Sequence, residues 1–146
     1  MNEKMQHSST EKITPEQVNE GNRGTLMELL GIRFTLLSPG RCEAVMPVEQ
    51  RVCQPFGILH GGATLALAET VAGQGSLLLC GEGEVPAGIQ VSGNHLSPAR
   101  VGETVRAVGS VLQQGRTLHV WHIDLIADDG RTISTVRVVN SILKRR

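Results

Sequence analysis

QPFGILHGGATLALAETVAGQGSLLL, residues 54–79, is the stretch whose reading decides the fold. Pro55-Phe56-Gly57 is a turn signal, and Gly61-Gly62 opens a run of about eighteen residues built almost wholly from Ala, Leu, Thr, Val and Gly. The run predicts a long helix. Stepping by four places Gly61, Leu65, Glu69 and Gly73 on one face, while Leu67, Val71 and Leu78 fall on others, so the helix is apolar nearly all round. Such a helix is expected to be wrapped by other structure. Its one charge, Glu69, has no Lys or Arg three or four places away.

A carboxylate in those surroundings is partly desolvated, which raises its pKa and equips it as a base or nucleophile. The alternative is a Glu at a helix edge that looks into water. The first N–H groups of a helix have no internal partner and lie at the positive end of its dipole, so Gly61, with no side chain in the way, can offer its amide to a carbonyl oxygen. A tight N-terminal turn is the plainer reading of the same two glycines. Gly61 and Glu69 are eight residues apart, about 12 Å of helix rise. They cannot both reach one carbon from a single helix. If both act on one group they come from two copies, which makes the protein at least a homodimer with antiparallel helices and two equivalent sites.

The chain has 146 residues, one domain's worth, in which 14 Lys and Arg balance 14 Asp and Glu. That balance gives no pull toward nucleic acid or an anionic membrane surface. Cys42, Cys53 and Cys80 are odd in number and form no CxxC, which points to reduced thiols and a cytoplasmic location. The polar start MNEKMQHSST and the lack of an apolar run of about 18 residues predict neither signal peptide nor membrane span. Phe34, Phe56 and Trp121 are the only aromatics, so the core must be aliphatic and base stacking has almost nothing to work with.

Residues 1–12 read as a flexible tail ahead of a domain over 13–146. Thr14-Pro15-Glu16-Gln17 has the N-cap, first-turn proline and third-position Gln of a short helix running to about Asn22. A second short helix over 25–30 ends at Gly31. The period then becomes extended: strands at 32–37 and 42–48 flank a Ser38-Pro39-Gly40-Arg41 turn. After the long helix and a loop over 81–86, strands follow at 88–97, 103–113, 117–127 and 131–143. The fold class is α+β, one antiparallel sheet against one long helix. Alternation puts Ile89, Val91, Gly93 and His95 on one face and His119, Trp121, Ile123 and Leu125 on another shared face. His95 on that apolar side is either a satisfied core histidine or a group that orients substrate or water. No metal is expected: His119 and His122 are three apart on a strand and point oppositely, and no thiols have a zinc spacing. Nucleophile-elbow, phosphate-loop and dinucleotide motifs are absent as well.

At QPFGILHGGATLALAE the chain resembles the hotdog-fold acyl-CoA thioesterases of the phenylacetate-pathway type, above all the branch acting on 1,4-dihydroxy-2-naphthoyl-CoA. The specific part is the spacing of Gln54, His60-Gly61-Gly62 and Glu69, followed by Asn94-His95 at a strand end. The resemblance implies an antiparallel sheet wrapped around a central helix, and Glu69 attacking the thioester or activating the water that does. It further implies that the Gly61 N–H polarises the carbonyl, that Gln54 and His60 flank the reacting group, and that Gly62, Asn94, His95 and Gly73 contact the substrate. Relatives often carry Ser or Thr where this chain has Gly73, so that hydroxyl is missing. Arg100, Arg116 and Thr117 are implied contacts for coenzyme A, which is part of the substrate rather than a cofactor; no cofactor is implied. A dimer of dimers is the implied assembly. Beside hydrolysis of an aromatic acyl-CoA stand proofreading of a misloaded aryl carrier protein, a hotdog dehydratase or hydratase, and a non-catalytic acyl-CoA sensor.

Overall fold

A computed structural model describes residues 12–146, so the expected tail lies outside the described residues apart from Lys12, which is exposed. Helix α1, Pro15–Gly21, begins with the capping box that its sequence spells: the Thr14 hydroxyl accepts from the Gln17 amide at 3.2 Å, and the Gln17 side chain accepts from the Thr14 amide at 2.8 Å. Helix α2, Leu26–Leu30, stops at Gly31, whose φ of 76° is left-handed and suits a residue without Cβ.

Strands β1 (Arg33–Ser38) and β2 (Arg41–Pro47) form the first hairpin. The long helix α3 spans Gly61–Leu79, and β3 (Glu84–His95), β4 (Thr104–Gln114), β5 (Leu118–Ala127) and β6 (Thr132–Lys144) follow. All neighbours in the sheet are antiparallel, in the order β1-β2-β4-β5-β6-β3. β3 starts earlier than its sequence suggests, because Pro86 lies within it opposite Ile142. An edge strand tolerates proline, since the missing N–H has no ladder partner on the open side.

The sheet wraps α3 along the side carrying Thr64, Leu67, Ala68, Val71, Ala72, Gly75 and Ser76, all buried. Each large aliphatic side chain on that side contributes about 1.5–3 kcal/mol by leaving water. On β5, His119, Trp121, Ile123, Leu125 and Ala127 are buried in strict alternation, as the period of two predicts. Trp121 sets how closely helix and sheet approach: a Cβ on Gly75 would stand 2.4 Å from the indole ring. Wrapping is incomplete, however. Gly62, Glu69 and Leu77 are exposed, with Ala66 and Gly73 half-buried between them, so one stripe of an apolar helix remains open beside the β3 edge. One sheet covers one side of the rod.

A polar cluster sits at the heart of the packing. Trp121 Nε1 and Asn140 Nδ2 each donate to Ser76 Oγ at 2.9 Å, filling both of its lone pairs. The Ser76 proton therefore goes to His119 Nδ1, 3.0 Å away, and His119 is held neutral with its own proton on Nε2. Burial pushes the His119 pKa below the ordinary imidazole value, a shift that nearby Glu84 partly opposes. Its contribution to stability is full above the unfolded value of about 6.5 and is lost as pH falls toward the lower folded value. Urea denaturation is expected to show stability declining below that pH by at most about 1.4 kcal/mol per unit from this group. In His119→Gln, which can still accept from Ser76, the decline should flatten; an unchanged slope would assign it elsewhere.

Candidate active site

His60 caps α3, and the cap determines which amides remain free. Its Nδ1 accepts from Gly62 N–H at 2.8 Å, and its carbonyl accepts from Ala63 and Thr64 at 3.0 and 3.2 Å. Gly61 N–H makes no hydrogen bond among the described residues. It faces a recess of about 450 Å³ whose lining includes Gln54, Ile58, Thr64, His95 and Ser134. His95 Nδ1 pairs with Ser134 Oγ at 2.7 Å, which turns the other ring nitrogen toward the helix tip. A Cβ at position 61 would meet that Nε2 at 2.6 Å, so only glycine lets the ring lie over the amide. Gln54 Oε1 accepts from Phe56 N–H, leaving the Gln54 NH₂ as a donor. A free backbone N–H, an amide NH₂ and an imidazole nitrogen thus converge on one hollow. The N–H and the NH₂ are donors of the kind a developing oxyanion requires, and His95 Nε2 joins them when Ser134 donates to Nδ1.

The remaining predicted residues lie elsewhere. His60 and Gly62 are engaged in the cap, and Asn94, exposed beside His95, points to the opposite face of β3. Arg100 follows Pro98 and Ala99 of the recess but does not itself line it; it is exposed, with its backbone N–H on Glu103. Arg116 and Thr117 line a second recess of about 680 Å³ with Leu79, Glu84, His119 and Lys144, at the far end of α3. Glu69 belongs to neither recess. Two turns along the rod from Gly61, it lies against β3, where a Cβ on Gly88 would be 2.6 Å from its Oε1. Gly73, one turn further, has open space where a side chain would stand.

Two expectations need correcting. Glu69 is exposed in the single chain, because it sits on the stripe of α3 that the sheet leaves open; the chain does not desolvate it alone. Ile89 does not share the face of Gly93 and His95 in simple alternation. It is the extra residue of a bulge between Gly88 and Gln90 and is 61 % exposed. Ser134 is a site residue that the sequence did not disclose, since only the pairing of β3 with β6 sets it opposite His95. Among the described residues there is no cluster of three metal-binding side chains, and no helix is long and apolar enough to cross a membrane.

An antiparallel sheet wrapped on a long helix is the hotdog fold, and the unpartnered amide at the helix tip suits acyl transfer from a thioester. The sequence agrees: residues 56–134 match the Thioesterase superfamily, and the chain belongs to that family and is a hydrolase. It is 40% identical over 133 residues to 1,4-dihydroxy-2-naphthoyl-CoA hydrolase of Escherichia coli K12, covering 90% of this chain and 96% of that protein. It is 38% identical to the proofreading thioesterase EntH of Cronobacter turicensis, covering 90% and 95% of the two chains. Among solved structures, thioesterase HI1161 from Haemophilus influenzae superposes with a TM-score of 0.87 at 34% identity, over 92% of this chain and 93% of that one.

Proposed function

We propose that the protein hydrolyses aromatic or hydroxyaromatic acyl-CoA thioesters in a site shared by two copies of the chain. The observation that carries this reading is the division of labour along α3: oxyanion donors gather at Gly61, while the only carboxylate of the helix lies beyond reach on an open apolar stripe. Pairing two such stripes antiparallel would set Glu69 of one chain against Gly61 of the other and remove both from water. The thioester oxygen would lie on Gly61 N–H, flanked by Gln54 and His95, and Glu69 would attack the carbon or activate water. His60 acts by holding the tip of the helix in shape.

In the same antiparallel arrangement the far end of one helix runs about ten residues, roughly 15 Å, past the start of its partner. Arg116, Thr117 and Lys144 of one chain would then lie outward of the recess of the other, along the path of a long pantetheine arm, and Arg100 follows Pro98 and Ala99 of that recess. Those cations suit the phosphates of coenzyme A. Water, acyl-CoA and this set of side chains balance the reaction without a cofactor.

An aromatic acyl group is favoured by the likeness to the 1,4-dihydroxy-2-naphthoyl-CoA hydrolase, and a carrier-linked aryl group by the likeness to EntH. A panel of thioesters followed by free-thiol release separates these readings. Benzoyl-CoA-type substrates are expected to exceed medium-chain acyl-CoA in kcat/KM by about tenfold or more, roughly 1.4 kcal/mol of differential binding. Preference for octanoyl-CoA would refute the aromatic assignment, and turnover of carrier-linked thioesters alone would favour proofreading.

A further inference from the structure

One donor of the buried polar cluster points out of it. His119 is only 3 % exposed, its Nδ1 accepts the Ser76 proton, and its own proton is therefore fixed on Nε2, across the ring. That N–H makes no hydrogen bond among the described residues, yet it is not sealed in as Asn140 Oδ1 is: His119 forms part of the wall of the recess of about 680 Å³ at the far end of α3. A second side chain in the same wall offers the opposite polarity. One oxygen of the half-buried Glu84 carboxylate is pinned by Gly81 N–H at 2.8 Å, and the other has no donor among the described residues. Burial lowers the His119 pKa and the charge of Glu84 opposes that shift, so the two lie near each other, but they share no hydrogen bond.

A fixed N–H donor and a fixed acceptor thus face one space. A planar group with an acceptor beside a donor satisfies both at once. Adenine has that pattern on two of its edges, where ring N1 or N7 accepts and the neighbouring N6 amino group donates. The remaining wall suits the same molecule. Leu79 and Ile142, both half-buried, supply apolar surface for the faces of a purine, while the exposed Arg116 and Lys144 supply cations for phosphates. Resting on the reading of the protein as a coenzyme A thioesterase with a shared site, we propose that this recess reads the adenine of the substrate whose thioester lies in the recess of the second copy. His119 Nε2 donates to a ring nitrogen, and Glu84 accepts from N6. The cations attract any phosphate; the donor–acceptor pair selects the base. Ser76 acts through His119, as the positioning residue that fixes its tautomer.

Calorimetry with adenosine 3′,5′-bisphosphate, the nucleotide end of coenzyme A, tests the site without requiring turnover. Purine riboside 3′,5′-bisphosphate, which keeps the ring and phosphates and lacks N6, is expected to bind the parent protein about tenfold more weakly or worse. In Glu84→Gln the amide oxygen stays on Gly81 N–H and an NH₂ group meets N6. This variant should weaken the adenosine ligand about tenfold or more and leave the purine ligand within about twofold. A general disturbance of the recess would weaken both alike. His119→Leu removes the ring donor and should weaken both ligands; if it does not fold, the Glu84 comparison decides. Absence of binding, equal affinity of the parent for the two ligands, or an equal loss of both in Glu84→Gln overturns the proposal. Kinetics separate it from the reading on which it rests, because KM for an aromatic CoA thioester should be about tenfold or more below that of the same acyl group on pantetheine. Equal KM for the two, with both hydrolysed, removes the adenine site and leaves the thioesterase standing, whereas hydrolysis of neither sinks that reading and the proposal with it.

Discussion

Glu69→Gln is expected to lower kcat by about 10³-fold, within the range removed with a general base or nucleophile, while substrate KM stays nearly unchanged. The substitution keeps the shape and the contact with Gly88 and removes only the capacity to take a proton or attack. Because Glu69 is exposed in the chain and makes no salt bridge among the described residues, neutralising it should leave the fold intact, with an unaltered thermal melt. Glu69→Asp retracts the carboxylate by one methylene from Gly88 and should fall between the two. Free-thiol release on an aromatic CoA thioester reads all three proteins. Turnover of Glu69→Gln at the parental rate would remove this residue from the mechanism, whatever its place on the helix.

Much of this arrangement is legible in the sequence where the signals are local. Thr14 and Gln17 lie within one helical turn, so their capping box is written in four letters, and Gly31 marks the end of α2 in the same way. The alternation along β5 is equally plain because nothing interrupts it. The bulge at Ile89 breaks that logic in β3, since an inserted residue shifts the phase and composition does not mark it. Ser134 beside His95, and Asn140 beneath Gly88, depend on a register set between strands about forty to fifty residues apart, which no short window contains. The exposure of Glu69 has a different origin. An apolar helix face reads as buried whether its cover is the same chain or a second copy, because both interfaces exclude water with the same side chains. The sequence of α3 thus reports how much surface must be hidden without reporting what hides it.

Two inactive variants, mixed, are expected to restore activity, and the amount follows from symmetry. Gly61→Val should be inactive because a Cβ at that position meets His95 Nε2 at 2.6 Å, and a branched side chain would displace the ring and cover the amide. Homodimers of Glu69→Gln lack the acid at both sites, and homodimers of Gly61→Val lack the oxyanion donor at both. A mixed dimer differs. One of its sites inherits both lesions, but the other takes Glu69 from the Gly61→Val chain and the Gly61 amide from the Glu69→Gln chain. Random pairing makes about half of the dimers mixed, with one working site in two, so the co-expressed pair should reach about a quarter of parental activity. Purifying the mixed species with two different affinity tags should raise this to about half. If Gly61 and Glu69 served the same site from one polypeptide, no mixture would exceed the residual rate of the separate variants. Eight residues of helix, about 12 Å of rise, make that outcome incompatible with both groups touching one carbon. Failure to complement, with mixed dimers demonstrated, would therefore remove Gly61 or Glu69 from the chemistry and require another donor or another acid.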